Sequence, residues 1–372
     1  MTVTEFAIEN FRNIKTLSML PSPGVNIIYG HNAQGKTNLI EALWLCTGSR
    51  SFRSGAKHSQ MISFDHQTAH INMNFLAGKR KQNVMIALGK GEKQQSVKLN
   101  RVKKSSLSSL SGAFCAVVFS PSHMDLVTGG PEERRRFVDY AISQLKPHYI
   151  DLLQKYQKCL YQRNSLLRNS QGNPDLLGTI DIWNQSLSGF GTAIMDYRYR
   201  YIQKLRKVAG FFYDGISGGR EIMEIKYNSS ISIDNENFVM KDINEKYLDM
   251  LNNSLKEDIR SGYTGIGIHR DDLGIKIGGR SAKSYASQGQ KRSAVLSMKL
   301  GESELICQTI GEQPAIFLDD VMSELDEKRQ DYMLNHLSDK QVFITCCDKT
   351  TFDNVLCEKV FHIQSGELSV EV

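Results

Sequence analysis

The sequence has few cysteines, and none of them stands in a disulfide or metal-binding pattern. Its seven cysteines are scattered over the 372 residues without a C-x-x-C pair. An odd, unpatterned set is typical of reduced thiols and argues against a disulfide framework or a cysteine-bound zinc site. The nine histidines show no ligand spacing either. We therefore assign no structural metal to these residues and expect a cytoplasmic protein.

Long apolar runs are also absent. No stretch approaches the roughly 18–20 apolar residues that a membrane helix needs. The amino terminus lacks a basic segment followed by an apolar run, which argues against a secretory signal. Apolar residues make up 40% of the chain and charged residues 23%, as is typical of a globular protein. A chain of this length usually contains more than one hydrophobic core.

Acidic residues are scarce in the first part of the chain. Residues 1–104 contain fifteen Lys and Arg against five Asp and Glu, whereas the remainder contains 31 against 35. The net charge of +6 therefore conceals a strongly basic amino-terminal part. Such asymmetry predicts a polyanionic partner that contacts this part of the molecule.

Hydrophobic patterning predicts two α/β segments with a helical segment between them. Strands are predicted at 2–8, 25–29, 69–76, 82–88, 96–101, 113–119, 222–233, 315–318 and 341–345. Helices are predicted at 38–46, 241–260 and 294–310, and over most of 131–218 with a break at 172–174. We therefore expect one α/β domain in two parts, 1–130 and 261–372, interrupted by a mostly helical lobe at 131–260.

A phosphate-binding loop follows the predicted strand at 25–29. The motif G-H-N-A-Q-G-K-T occupies Gly30, His31, Asn32, Ala33, Gln34, Gly35, Lys36 and Thr37. The two glycines let backbone N–H groups point at phosphates, and the helix after the loop adds its positive end. Lys36 is expected to reach the β- and γ-phosphates and Thr37 to ligate Mg²⁺. The alternative is a glycine-rich turn with an incidental lysine, but the strand–loop–helix context favours ATP binding.

A second acidic site comes after the predicted strand at 315–318. Asp319 is our candidate for a water-mediated contact with Mg²⁺, and Asp320 for the residue that polarises the attacking water. The alternative is that two carboxylates merely end a strand and cap the next turn of the chain. The phosphate-binding loop elsewhere in the chain favours the functional interpretation.

The segment S-Q-G-Q-K-R at 287–292 opens the predicted helix that precedes this acidic strand. Ser287 and Gly289 offer a hydroxyl, N–H groups and a helix dipole to an anion. Alone, this segment is an ordinary helix cap. Together with the loop before it and the two aspartates after it, it resembles the signature of ABC-type ATPases. The segment S-E-L-D at 323–326 resembles their D-loop.

Three further stretches make the chain similar to the RecF family. They are N-F-R-N at 10–13, S-P at 120–121 followed by D-L-V-x-G-x-P-x-x-R-R-x-F-V-D at 125–139, and G-I-H-R-D-D-L at 267–273. The third stretch departs from the family pattern because Ile268 replaces the usual proline. The resemblance spans essentially the whole chain and preserves the order of the motifs.

The resemblance implies a fold and a mechanism. The fold would be an ABC-type P-loop ATPase head, like that of SMC proteins, with a short helical lobe in place of a long coiled coil. Two heads would enclose two ATP molecules, each P-loop facing Ser287 and Gly289 of the other head. The dimer would clamp DNA in recombinational repair and replication restart, and weak ATPase activity would release it. RecR and RecO are the implied partners in loading the recombinase at gaps.

The resemblance also suggests two further nucleotide contacts, and the chain differs from many ABC-type ATPases at two places. Arg12, in the opening motif, is a candidate contact. Many ABC-type ATPases have Asp-Glu where this chain has Asp319 and Asp320, and the shorter side chain is compatible with slow turnover. They also carry a switch histidine after the next strand, where this chain has T-C-C-D at 345–348. Thr345 is the candidate substitute for that histidine.

The basic residues cluster most densely at 79–104, which contain nine Lys and Arg against Glu92 alone. The candidate DNA-binding residues are Lys79, Arg80, Lys81, Lys103 and Lys104. Contacts of this kind bind phosphates without sequence preference and weaken with salt. The scarcity of aromatic residues makes a base-stacking, single-strand platform less favoured. The alternative is a solvated hairpin face, and the arginines at 134–136 could equally form internal ion pairs.

Two other functions are compatible with parts of the sequence. A transporter-type ATPase subunit would share the P-loop, but that class normally lacks a helical insert. A scaffold that binds ATP without turning it over would share all of these motifs. A nuclease is disfavoured because no further acidic cluster resembles a two-metal site.

Overall fold

The computed structural model describes residues 1–53, 55–91, 95–170, 174–232, 238–348 and 357–371. The strands are β1 (Thr2–Phe11), β2 (Ile14–Met19), β3 (Val25–Tyr29), β4 (Thr68–Ala77), β5 (Arg80–Gly89), β6 (Ser96–Leu99), β7 (Val102–Lys104), β8 (Ala116–Phe119), β9 (Met223–Asn228), β10 (Asp272–Ile277), β11 (Arg280–Ser281), β12 (Ala315–Asp319), β13 (Val342–Cys346), β14 (Lys359–Gln364) and β15 (Glu367–Glu371). The helices are α1 (Lys36–Leu45), α2 (Asp125–Thr128), α3 (Pro131–Leu145), α4 (His148–Asn169), α5 (Ile180–Ser217), α6 (Met240–Asn253), α7 (Leu255–Ser261), α8 (Ala282–Tyr285), α9 (Gln288–Ile310) and α10 (Glu327–Asn335). The fold is α/β, as predicted.

A mixed sheet carries the predicted nucleotide motifs. Its strand order is β15-β14-β3-β13-β12-β8, and all neighbours are parallel except the β14–β15 pair. Every residue of β8, β12 and β13 is buried, as parallel strands covered on both faces require. Because these strands are parallel, the carboxyl ends of β3, β12 and β13 meet at one edge of the sheet. The motifs that come after those strands are brought together there.

An antiparallel sheet with the order β2-β1-β4-β5-β6-β7 packs on helix α1. Its strands alternate, so that Met73, Val84 and Ile86 face the core and polar residues face outward. The strands predicted at 69–76 and 82–88 are confirmed. The strand predicted at 96–101 is too long, because β6 ends at Leu99 and a turn comes next. Asn100 and Arg101 in that turn have φ of 52° and 68°, and the chain returns as β7, which was not predicted.

Helices dominate residues 131–261. The 38-residue helix α5 packs against α4, α6 and α9, and the helix predicted at 241–260 is two helices, α6 and α7. The break predicted at 172–174 lies largely outside the described residues. Strand β9 is shorter than the strand predicted at 222–233, whose last residue also lies outside them. It pairs antiparallel with β10, which joins the helical segment to the carboxyl-terminal part of the chain.

Buried ion pairs fix these helices to one another. Arg163 of α4 is fully buried, and its guanidinium lies 2.8 Å from Asp258 of α7. Arg198 of α5 donates to both carboxylate oxygens of Asp139 of α3 at 2.9 Å. Removing one partner of such a pair leaves a buried charge and typically costs about 3–5 kcal/mol. None of the helices that the structure describes is long and apolar enough to span a membrane.

Candidate nucleotide site

The loop between β3 and α1 has the backbone that a phosphate cradle requires. Gly35 has φ of 116°, a left-handed conformation that favours glycine. A Cβ on Gly30 would lie 2.2 Å from the carbonyl oxygen of Ile363 on β14, so no larger residue fits there. Helix α1 begins at Lys36, immediately after the loop. The loop and the helix amino terminus therefore fit a nucleotide phosphate chain.

Lys36 lies inside this loop. Its Nζ donates hydrogen bonds to the carbonyl oxygens of Gly30 at 2.5 Å and His31 at 3.0 Å, and the residue is 7% exposed. These bonds hold the ammonium group at the centre of the loop. Two backbone carbonyl groups of the loop thus hold one cation, and a cation in this place suits an anion that approaches from solvent.

Thr37, Asp319 and Thr345 meet at the edge of the parallel sheet. The Asp319 Oδ1 atom accepts from Thr37 Oγ1 at 2.9 Å and from Thr345 Oγ1 at 3.0 Å. Asp319 and Thr345 are also register partners on β12 and β13. A hydroxyl beside a carboxylate is a donor set that Mg²⁺ accepts, so the two residues predicted to hold the metal fit it. Burial raises the pKa of Asp319, while the two hydroxyls and Arg53 oppose the shift.

Asp320 lies just after β12 and turns the chain away from the sheet. Its φ is 54°, a conformation that costs a residue other than glycine about 1–3 kcal/mol. Its backbone N–H donates to Thr345 Oγ1 at 2.9 Å, and its carbonyl oxygen accepts from Ser323. No described residue bonds to its carboxylate. The side chain is half-buried.

Arg12 lies behind the P-loop helix. Its guanidinium contacts Glu41 of α1 through Nε at 2.5 Å and through a second nitrogen at 2.8 Å, and it also donates to the carbonyl oxygen of Gln60. Glu41 is fully buried and also accepts from Ser51. Arg12 therefore fixes the helix through this carboxylate. Its direct contact with a nucleotide stays a prediction.

Other residues that hold the loop were not predicted. The backbone N–H of Gly366, in the turn between β14 and β15, donates to the carbonyl oxygen of Gln34 at 3.0 Å. Asn13 donates to the carbonyl oxygen of Ala33 at 3.3 Å. Cys347 lies two residues after Thr345, the predicted substitute for the switch histidine. Its Sγ is 3.0 Å from Asn32 Oδ1 and 3.8 Å from Lys36 Nζ. In the sequence, only the place of Asn13 in the opening motif pointed to any of them.

Ser287 and Gly289 lie at the exposed amino end of helix α9. The Ser287 Oγ atom accepts from the backbone N–H of Gln290 at 3.2 Å, and Gln290 Oε1 accepts from the Ser287 N–H at 2.6 Å. This reciprocal cap fixes the first turn of the helix. Gln290 also donates to Glu221 at 2.6 Å, which ties the cap to the end of the α5–β9 connection.

The segment at 323–326 is tied to the same helix by Arg329. This arginine pairs with Asp326, and its guanidinium donates to Ser293 Oγ at 2.9 Å and to the Gly289 carbonyl at 3.3 Å. Within the described part of the chain, no hydrogen bond of Ser287 or Gly289 reaches a residue of the P-loop. One chain therefore makes no described hydrogen bond between the two predicted halves of the site.

The two long family stretches contact each other in the structure. Arg134 donates to both carboxylate oxygens of Asp272 at 2.6 and 2.9 Å, and Arg135 donates to the Asp271 carbonyl at 2.6 Å. Arg136 lies 3.6 Å from Glu133. The arginines at 134–136 thus make internal polar contacts, the alternative considered for them from the sequence. Arg134 thereby joins α3 to the first residue of β10, and Arg135 joins it to the residue before.

The candidate DNA-binding residues do not form one surface. Lys79 and Arg80 lie at the β4–β5 turn, beside Gly78. This turn is close to Glu312, because a Cβ added to Gly78 would lie 3.3 Å from the Glu312 carboxylate. Because Glu312 precedes β12, this turn lies at the opposite end of the parallel sheet from Asp319. Lys103 and Lys104 lie on β7, which alternates between the two faces of the antiparallel sheet. Lys93 and Glu92 of the same basic segment lie outside the described residues.

Comparison with known proteins agrees with this geometry. Residues 2–370 match the family model described as the RecF/RecN/SMC N-terminal domain. The chain is 40% identical over 371 residues to the DNA replication and repair protein RecF of Ruminiclostridium cellulolyticum, covering 99% of both chains. It is 38% identical to the RecF of Acetivibrio thermocellus, covering 95% of both chains.

Solved structures show the same fold. A structure of the recombination mediator protein RecF with ATP matches with a TM-score of 0.93 and 34% identity, covering 100% of this chain and 98% of that one. The Smc head domain of Pyrococcus furiosus matches with a TM-score of 0.54 at 12% identity, covering 100% and 96%. The predicted ABC-type ATPase head, shared with SMC proteins, is confirmed as the fold.

Proposed function

The chain belongs to the RecF proteins of DNA replication and repair, within the RecF/RecN/SMC N-terminal domain family, and from this premise we propose an ATP-dependent DNA clamp. In this proposal two copies of the chain dimerise on ATP and enclose DNA that is double-stranded or gapped. The observation that carries it is the meeting of Thr37, Asp319 and Thr345 beside Lys36, with Ser287 exposed elsewhere on the same chain.

Residues 30–37 would hold the ATP phosphates, as the RecF structure with ATP supports for a relative. Lys36 would move from the loop carbonyls to the phosphate oxygens, exchanging neutral acceptors for charged ones. Thr37 and Asp319 would hold Mg²⁺, which neutralises phosphate charge when it is bound. Thr345 keeps Asp319 oriented, a role that needs no histidine.

The second half of each site would come from the partner copy. Ser287 and Gly289 present a capped helix amino terminus to solvent, and such an end attracts anions. The Arg329 contacts keep this end and the segment at 323–326 as one rigid surface. A two-fold dimer would place each such surface against the P-loop of the other copy, giving two equal sites.

Asp320 would orient the attacking water, and turnover would be weak. Its carboxylate has no partner among the described residues, but it is one methylene shorter than the glutamate common in ABC-type ATPases. A longer path from carboxylate to water weakens proton acceptance. Slow hydrolysis suits a clamp that stays closed after binding and opens later. ATP that is bound without any turnover is the second candidate function, favoured by the same short side chain.

DNA would contact the outward face of the antiparallel sheet. Lys81 of β5, Lys98 of β6 and Lys103 of β7 are exposed. Lys98 and Lys103 are register partners, and Lys98 also pairs with Met85, which shares the outward face with Lys81. Lysines on three neighbouring strands form a surface that binds phosphates without reading sequence. The family membership supports RecR and RecO as partners in loading a recombinase at gaps, in the cytoplasm.

Light scattering tests the proposal in solution. The chain should be a monomer without nucleotide and a dimer with ATP and Mg²⁺, and gapped duplex DNA should stabilise the dimer. Asp320→Asn should keep the ATP-dependent dimer and lose phosphate release, whereas Lys36→Arg should weaken both. A monomer under every condition would contradict the clamp. Dimerisation with no phosphate release from the unmodified chain would support the ATP-binding scaffold.

A further inference from the structure

A second cleft, away from the P-loop, opens between the antiparallel sheet and helices α3 and α4. Its volume is about 890 Å³, near the upper end of the range of ligand pockets. Strands β5, β6 and β7 and the serine-rich loop at 105–108 form one wall, and α3 and α4 form the other. We call it the α3–α4 cleft. None of the nucleotide-site residues lines it.

The α3–α4 cleft has an excess of positive charge. Its basic lining residues are Arg50, Lys103, Lys104, Arg135, Arg136 and Arg198, and its acidic ones are Glu132 and Asp139. The charge of Asp139 is balanced by Arg198, which donates to both of its carboxylate oxygens. The Lys103 side chain faces outward, because Lys103 is the register partner of Lys98. Within the described part of the chain, Arg50, Lys104 and Arg135 form no ion pair with a carboxylate. Those three cations leave the cleft suited to a ligand that carries several negative charges.

Two histidines in the cleft, His58 and His269, have lowered pKa values. The pKa of His58 is lowered by burial and by Arg50. The pKa of His269 is lowered by burial, with Arg270 and Arg135 adding to the shift. Both rings are therefore neutral near pH 7, chiefly because burial disfavours the charged imidazolium, with nearby cations adding to the effect. The positive charge needed to attract an anion comes from lysine and arginine.

The floor of the cleft is aliphatic. Leu153 and Leu160 of α4 are partly exposed there, and Ile86 and Leu88 of β5 line the opposite side. The aromatic faces are already covered. Tyr156 is 1% exposed and hydrogen-bonds Tyr247 and His269.

The other aromatic residue of the lining, Tyr140, lies edge-on to Trp44 with Arg136 over its ring. Single-stranded nucleic acid relies on open aromatic faces for stacking, which this lining does not offer. An aliphatic floor with a basic rim instead suits a peptide that combines leucine-like and acidic side chains.

We propose that the α3–α4 cleft binds an acidic, aliphatic peptide segment of a partner protein. Its carboxylates contact Arg50, Lys104 and Arg135, and its aliphatic side chains cover Leu153 and Leu160. Strand β7 is the edge of its sheet and offers backbone hydrogen bonds to an extended peptide along one wall. Lys104 lies opposite buried Val97 and is half-buried, so it is turned toward the cleft rather than the outward face.

Fluorescence anisotropy with a labelled probe peptide of sequence Leu-Asp-Glu-Leu-Asp-Ile tests this site on the full chain without nucleotide. One analogue replaces the acids with Asn and Gln, and another replaces the aliphatic residues with Ser. The cleft variant is Arg50→Glu with Lys104→Glu. The matched control, Lys81→Glu with Lys98→Glu, makes the same change of charge on the outward face of the same sheet.

The probe should bind the full chain, and the cleft variant should weaken binding at least tenfold, while the control stays within about twofold. Both analogues should bind at least tenfold more weakly. A photo-crosslinking probe should label residues in 103–111 or 150–160. Equal losses in the two variants, or unchanged binding of the Ser analogue, would overturn the proposal. Displacement of the probe by oligo(dT) would assign the cleft to nucleic acid instead.

The DNA affinity of the two variants separates this inference from the proposed clamp. The control variant should weaken binding of duplex DNA, and the cleft variant should affect it less. Loss of peptide binding with unaltered DNA binding supports the cleft whatever the fate of the clamp.

Discussion

The two halves of the proposed nucleotide site differ in how much of each one chain completes. Around Lys36 the side chains are buried and multiply bonded, and β3, β12 and β13 hold them from below. Around Ser287 the functional groups are exposed at a helix end, supported from behind by Gln290 and Arg329. One chain completes the first half on folding, whereas in the proposed dimer the second half is a surface that contacts the other copy. Variants in the two halves should therefore fail in different ways.

Lys36→Ala should have the largest effect, because it removes a charged donor from the finished half. Loss of a charge-assisted contact of about 3 kcal/mol weakens ATP binding roughly a hundredfold. The loss should be visible in the monomer by calorimetry at low protein concentration. Lys15→Ala, on an exposed position of β2, should bind ATP normally. Unchanged ATP binding in Lys36→Ala would show that the P-loop does not bind ATP.

Ser287→Arg should break the other half without touching the first. An arginine at this exposed cap puts a bulky cation where the partner copy would approach, so ATP-dependent dimerisation should be lost. ATP affinity of the monomer should change less than twofold. Loss of the cap itself costs about 1 kcal/mol, a small shift in melting temperature. The check is light scattering with ATP, with Ser338→Arg as the exposed control; a normal dimer would show that Ser287 lies outside the interface.

Thr345→Val tests how much the half of the site around Lys36 depends on strand β13. It removes the hydroxyl that bonds both Asp319 Oδ1 and the Asp320 N–H, leaving a buried acceptor short of one partner. We expect about a tenfold loss in phosphate release, from about 1.4 kcal/mol, with a smaller change in ATP affinity. Thr4→Val on β1 is the control. An unchanged rate would mean that these aspartates need no help from β13.

Acid should destabilise the folded chain in part through His123, which lies beneath the second half. His123 lies with Arg292 and Glu324 around a small cavity beneath α9, and burial, with Lys299 and Arg136, holds its pKa well below the usual value. The unfolded chain binds a proton there near pH 6.5 and the folded chain does not. Stability is therefore complete above that pH and falls as the pH drops, by at most about 1.4 kcal/mol per unit. Denaturant titrations from pH 7.5 to 5.5 should show that the free energy of unfolding of His123→Gln depends less on pH than that of the unmodified chain. An identical slope would show that this histidine does not contribute to the pH dependence.

The finished half could be predicted because its parts are contiguous or lie at the ends of parallel strands. Gly30 to Thr37 form a strand–loop–helix unit within one short segment, and Asp319 and Thr345 each end a buried strand. Parallel pairing alone brings such ends to one edge. The contact between Cys347 and Asn32, and the support of Gln34 from the β14–β15 turn, depend on strands paired across more than 300 residues. No local pattern carries that pairing.

The basic segment at 79–104 shows where counting charge falls short. A sum over a window ignores the two-residue alternation of a strand and the direction in which hairpins return. Lys79 therefore lies at the amino end of the parallel sheet, Lys103 on the outward face, and Lys104 in the α3–α4 cleft. The sequence predicted only that part of this basic segment contacts DNA phosphates, and the structure distributes its residues over three different places.

The most direct test of the composite site is complementation between the two half-site variants. Lys36→Ala and Ser287→Arg should each be inactive in phosphate release when alone. Mixed in equal amounts with ATP and DNA, they should recover phosphate release, because the mixed dimer has one intact site although neither variant dimerises with itself. The recovered rate should be at most about half of the unmodified rate, since one site of two is intact in each mixed dimer. Activity that stays at the level of the separate variants would contradict a site shared between two copies. Ser287→Arg that is fully active alone would show that Ser287 is not part of the site.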